Sequence, residues 1–95
     1  MRILIVEDEV MIREGLARLI KSHTGHTVIG EASNGQEGLS LALRFKPDLV
    51  ITDIRMPVMD GLQMIEALHG MSLPIRAVIL SGYSEFDYAK KAIHF

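Results

Sequence analysis

Three carboxylates stand directly after short apolar runs in this chain. Glu7 and Asp8 follow Ile3 to Val6, and Asp53 follows Leu49 to Thr52. A hydroxyl and a glycine, Ser81 and Gly82, follow a third run, Ile75 to Leu80. Runs of this length and β-branched content suit strands buried on both faces, so each polar group sits where a strand ends. In open parallel sheets, ligands bind beyond the carboxyl ends of the strands, near the point where strand order reverses. If the first and third strands are neighbours, Glu7, Asp8 and Asp53 share one rim. Carboxylates that close repel one another strongly where the dielectric is reduced. A hard divalent cation held by oxygens is the natural compensation. Mg²⁺ takes one or two carboxylates, a few waters and a phosphate oxygen, which fits this inventory. No histidine or cysteine stands at these strand ends, which argues against zinc.

The same placement suggests reactivity. A carboxylate beside Mg²⁺ can act as a nucleophile toward a phosphoryl group and form an aspartyl phosphate. Ser81 can donate a hydrogen bond to a phosphoryl oxygen, and backbone N–H groups after Asp53 and at Gly82 can bind others. Each acid also has an ordinary reading. Asp8 or Glu9 can cap the helix that follows, and a single aspartate ending a strand can simply begin a turn. The agreement of separate strand ends on one rim favours the chemical reading.

The elements that must hold these groups are legible as four βα units. After the first strand, Ile12, Leu16, Leu19 and Ile20 keep helical spacing between Val10 and Ser22. His26 to Ala32 reads as a second strand. Ser33 and Gln36 stand at capping-box spacing before a helix that Lys46-Pro47 ends. Asp48 to Thr52 reads as the third strand and Met56 to Asp60 as a loop, followed by a helix from Gly61 to Leu68. Pro74 precedes the fourth strand, Ile75 to Leu80. Ser84 and Asp87 open a fourth helix carrying Phe86, Ala89, Ala92 and Ile93. This alternation predicts an α/β fold with a doubly wound, mostly parallel sheet covered on both faces.

At 95 residues the chain is expected to form one domain, 1–95. Ten Lys and Arg against twelve Asp and Glu leave no basic footprint for nucleic acid or an anionic membrane. The absence of cysteine suits a reducing cytoplasm, and two acids interrupt the N-terminal apolar run too early for a signal peptide. No apolar run approaches the roughly 20 residues of a membrane helix. These features predict a soluble, cytoplasmic domain with no membrane partner. His23, His26, His69 and His94 show no ligand spacing and read as ordinary residues, and the methionines read as core and loop filler. The chain stops within a helical pattern, with no glycine cap or polar tail, which reads as a cut rather than a finish.

Three stretches together, ILIVEDE at 3–9, DLVITDIRMPVMDG at 48–61 and VILSGYSEFDYAKKAI at 78–93, resemble the receiver (CheY-like) domain of two-component response regulators. The resemblance covers essentially all 95 residues, and SGYSEFDYAKKAI is most similar to receivers joined to AraC-type DNA-binding output domains. It implies a flavodoxin-like sheet of order 2-1-3-4, with the family's fifth βα unit missing. It implies that Asp53 accepts a phosphoryl group from the phosphohistidine of a sensor histidine kinase. Asp8 and Asp53 would ligate Mg²⁺ with the backbone carbonyl of Arg55, while Glu7 would act largely through water. Ser81 matches the switch hydroxyl and Gly82 the small residue beside it. Arg55 and Tyr83 match positions that tune dephosphorylation, and bulky Tyr83 is expected to hinder the attacking water. Met56-Pro57 and Asp60-Gly61 match the family's stiff loop and third-helix start. Phosphorylation would draw Ser81 inward and alter the surface around the fourth helix, switching an output that is expected to be transcription regulation.

The family's phosphate-contacting lysine has no counterpart here by motif, since Lys90 and Lys91 fall on the fourth helix. An unpaired fourth-strand edge is expected to favour self-association. Two other functions stand beside the phosphoacceptor reading. One is a Mg²⁺-dependent phosphohydrolase with an aspartyl nucleophile, disfavoured because Arg55 occupies the position where such enzymes place a second acid. The other is an association module unable to signal. A nucleotide site is not indicated, because neither GxGxxG nor GxxxxGK[ST] occurs.

Overall fold

Leu4, Ile5 and Val6 are wholly shielded from solvent and Ile3 is nearly so. An uninterrupted apolar run on a central strand demands that burial, because helices cover both of its faces. The computed structural model describes residues 1–23 and 25–80. The chain order is β1 (Arg2–Val6), α1 (Val10–Lys21), β2 (Thr27–Ala32), α2 (Gly35–Phe45), β3 (Leu49–Asp53), α3 (Gly61–Gly70) and β4 (Arg76–Leu80). The fourth helix expected from Ser84 to Ile93 lies outside the described residues.

The strands pair in parallel in the order β2-β1-β3-β4, as the doubly wound reading requires. The chain starts in the middle, crosses to one edge at β2, then returns across β1 to β3, so strand order reverses between β1 and β3. Leu4, Val6 and Val50 face a core completed by Ala42 of α2 and by Met64, Ile65 and Leu68 of α3. Ile3 and Ile5 face the other way, against Ala17, Leu16 and Ile20 of α1.

Element ends differ from the sequence reading in instructive places. β3 begins one residue later than expected and includes Asp53, which pairs with Leu80 of β4. β4 begins at Arg76, not Ile75, because the Ile75 N–H donates to the Leu73 carbonyl within a tight turn. Ser33 and Gln36 do not form the expected capping box. Asn34 caps α2 by accepting from the Glu37 N–H at 2.8 Å. The reason is tertiary: the Gly35 N–H donates to the Met59 carbonyl at 2.8 Å, which ties the first residue of the helix to the loop after β3. A reciprocal capping box instead opens α3, where Asp60 accepts from the Gln63 N–H and Gln63 accepts from the Asp60 N–H.

Candidate functional site

The register of the sheet builds the site. Val6 stands opposite Thr52 across β1 and β3, so the next residues, Glu7 and Asp53, emerge side by side at the carboxyl end of the sheet. Asp8 follows at once, and one oxygen from each of Glu7, Asp8 and Asp53 lies within 4.8 Å of the others. The three acids that the sequence placed on one rim are therefore brought together.

Their environments differ. Glu7 is 2% exposed, Asp53 is half-buried and Asp8 faces solvent. Burial pushes the Glu7 carboxyl up from 4.5 to about 7, and the neighbouring Asp53 and Asp8 add to the rise. The Glu9 N–H, which donates to Glu7 Oε1 at 3.2 Å, opposes it. Asp53 Oδ1 accepts from the Ile54 N–H at 2.7 Å, which fixes the plane of the carboxylate. The end of β3 is clamped from below. Thr52 Oγ1 donates to the Asp53 carbonyl at 2.8 Å, and the Gly61 N–H donates to the Ile54 carbonyl at 2.8 Å. A Cβ on Gly61 would stand 2.1 Å from the Asp53 carbonyl oxygen, so only glycine lets α3 start this close to the strand end.

The ordinary reading of the first acidic pair is not realised. Glu9 is the N-cap residue of α1 but makes no side-chain capping bond, and the first turn of α1 contains no acid. Glu7 and Asp8 are thus held at the rim without capping the helix. The donor set is all oxygen, negatively charged and partly desolvated, and it fits a hard divalent cation. Arg55 lies exposed on the loop beyond Asp53. Ser81, Gly82 and Tyr83 lie outside the described residues.

Sequence reasoning passed over several residues that shape this rim. Gly35 is one: a Cβ there would stand 2.4 Å from the Met59 carbonyl oxygen. The capping role of the Asp60–Gln63 pair is another, with the D-x-x-Q spacing as its available signal. Gly61 stands at the helix start expected for it, and the structure adds its close approach to Asp53. Arg13, whose guanidinium donates to the Glu7 main-chain carbonyl, gave no signal, because that contact joins α1 to the end of β1.

Residues 3–95 match the response regulator receiver domain family. The chain belongs to this family. Among curated relatives of this receiver domain is the uncharacterized transcriptional regulatory protein YesN of Bacillus subtilis, 39% identical over 95 residues. That match covers 99% of this chain and 26% of YesN, so the chain spans about a quarter of that relative's length. Among solved structures, the REC domain of AraT, a response regulator from Geobacillus stearothermophilus, superposes with a TM-score of 0.87 at 39% identity. That superposition covers 98% of this chain and 73% of the other. A CheX–CheY–BeF3–Mg²⁺ complex from Borrelia burgdorferi gives a TM-score of 0.88 at 25% identity, covering 98% and 70% of the two chains.

Proposed function

We propose that this receiver domain accepts a phosphoryl group on Asp53 from the phosphohistidine of a sensor histidine kinase. The convergence of Glu7, Asp8 and Asp53 at the point of strand reversal carries this reading. In the transfer, an Asp53 oxygen attacks phosphorus, a P–O bond forms as the P–N bond breaks, and the released imidazole nitrogen takes up a proton. Asp8, Asp53 and the Arg55 carbonyl would hold Mg²⁺, with Glu7 acting through water. When bound, Mg²⁺ supplies charge neutralisation for the phosphoryl oxygens. The rigid clamp on Asp53 supplies orientation, since little covalent chemistry is left for the protein to do.

Ser81 and Gly82, by their motif positions, receive phosphoryl oxygens. The phosphoryl group adds roughly −1.5 to −2 charges, which draws Ser81 inward and alters the surface that follows. Arg55 and Tyr83 govern access of the hydrolytic water, so Tyr83→Ala shortens the phosphoryl lifetime. The domain is a phosphoacceptor, with self-catalysed transfer and dephosphorylation as its only chemistry. Its output is transcription regulation through a DNA-binding partner domain of AraC type, in the cytoplasm, without direct nucleic acid contact of its own. Among the described residues no helix is long and apolar enough to cross a membrane.

Self-association along β4 belongs to the same proposal. Among the described residues β4 pairs only with β3, and Val78 on it is 46% exposed. Light scattering across a concentration series tests this, and a strictly monomeric species defeats it.

The central test is incubation with acetyl phosphate and Mg²⁺, followed by intact mass. One phosphoryl increment on the native chain and none on Asp53→Asn is the expected pair. An unmodified native chain, or equal labelling of the variant, overturns the assignment, and sustained turnover of added phosphoesters points to the phosphohydrolase.

A further inference from the structure

Arg13 lies four residues into α1, on the face packed against the sheet, with its side chain 18% exposed. Its Nη1 donates to the main-chain carbonyl of Glu7 at 2.8 Å, a charge-assisted bond of good length. Its Nε lies 3.8 Å from Glu31 Oε1 on β2, an ion pair looser than a hydrogen bond. One guanidinium from α1 therefore spans the carboxyl ends of β1 and β2.

We infer that Arg13 is a positioning residue for the acidic cluster, acting through the Glu7 carbonyl to aim the Glu7–Asp8 pair. The Glu7 N–H donates to the Ala32 carbonyl at 2.9 Å, so with Arg13 on the carbonyl both main-chain groups of Glu7 are fixed. The peptide plane entering Asp8 cannot rotate without breaking the Arg13 bond. Asp8 faces solvent, so packing does little to direct it and its backbone must do so. The Glu9 side chain makes no capping bond, so among the described residues the only side-chain brace within this turn is the weak 3.2 Å bond from the Glu9 N–H to Glu7 Oε1. Arg13 takes the place of a cap from within the helix.

On charge alone the opposite behaviour is expected: removing a cation near three carboxylates should tighten binding of another cation. Two features weaken that effect. Glu31 offsets the guanidinium charge, and Arg13 contacts the main chain of Glu7, not its carboxylate. Orientation dominates, as it does for groups that hold metal ligands in place, whose loss costs roughly 10- to 100-fold in affinity.

The inference rests on the reading of Glu7, Asp8 and Asp53 as a Mg²⁺ site, and its test separates the two. The 95-residue chain is titrated with Mg²⁺ by calorimetry as native protein, Arg13→Met, Arg13→Lys and Glu31→Gln, after melting curves establish that each is folded. Arg13→Met is expected to weaken Mg²⁺ about tenfold or more. Arg13→Lys, which keeps the positive charge and N–H donors but has a shorter reach and no planar fork, recovers part of the loss, and Glu31→Gln stays near the native value. Mg²⁺ binding by the native chain with unchanged or tighter binding by Arg13→Met overturns the positioning role alone. If Arg13→Met does not fold, native-like affinity in Arg13→Lys together with weakened binding in Glu31→Gln overturns it, because charge and not geometry is then decisive. Absence of Mg²⁺ binding by the native chain overturns the metal-site reading and the positioning role with it.

Discussion

Gly61 seats α3 directly on the main-chain carbonyl of Asp53, with space for a hydrogen and none for a methyl group. A Cβ built there lies 2.1 Å from that oxygen and 3.1 Å from Thr52 Oγ1. Both obstacles belong to β3, and the nearer is backbone, so the strand end or the helix must move. Gly61→Ala is expected to destabilise the fold by about 1–3 kcal/mol or more, outweighing the helix propensity that alanine adds. Urea denaturation measures this. Phosphoryl uptake from acetyl phosphate should fall as well, since the displaced carbonyl is that of Asp53, the residue proposed to accept the phosphoryl group.

Gly15 is the contrasting case. It sits inside α1, and nothing lies within 4 Å of the place a methyl group would take. Gly15→Ala therefore gains helix propensity without a clash and is expected to stabilise the protein by about 0.5–1 kcal/mol. A lower urea midpoint for this variant would contradict the packing described for α1.

Val58 occupies the left-handed region at φ 69° and is 81% exposed. A β-branched residue is strained there, and so exposed a side chain has little packing to lose. Val58→Asn is expected to raise stability by about 1 kcal/mol, since asparagine tolerates this conformation. An unchanged melting temperature would mean that the valine side chain contributes packing equal to the strain.

Glu7 makes the metal-free protein sensitive to pH. Its folded value of about 7 lies above the ordinary 4.5, so the folded state binds the proton more tightly than the unfolded chain does. The stability contributed by protonated Glu7 is fully present below 4.5 and is lost as pH rises through about 7. With chelator present, the urea midpoint should fall across that window, and Glu7→Gln should flatten the fall.

A bound divalent cation reverses this preference, because a metal and a proton compete for the same carboxylates. Mg²⁺ affinity is expected to climb as pH rises through about 7 in the native chain. Titrations at several pH values check it, and an affinity independent of pH over that range would remove Glu7 from the metal's surroundings.

Much of this architecture is written in local pattern. The run Ile3 to Val6 names a strand covered on both faces, because no polar residue interrupts it, and the structure buries it on both faces. The acids at 7, 8 and 53 stand at strand ends for the same local reason, and the four-strand order follows the family resemblance of those motifs. Helix starts were less legible. Ser33-x-x-Gln36 and Asp60-x-x-Gln63 have equivalent spacing, yet only the second becomes a capping box. The Gly35–Met59 hydrogen bond decides the start of α2, and a contact between residues 24 positions apart leaves no periodicity to find.

The sequence by itself determined which residue types reach the rim: three carboxylates at the ends of apolar strands, in the order a doubly wound sheet can bring together. Only the tertiary structure decided how they differ. Parallel pairing of Val6 with Thr52 sets Glu7 beside Asp53, burial raises the Glu7 carboxyl while Asp8 stays in water, and Gly61 and Arg13 fix the backbone on either side. Those properties depend on distances between segments far apart in the chain, and local residue preference carries no record of them.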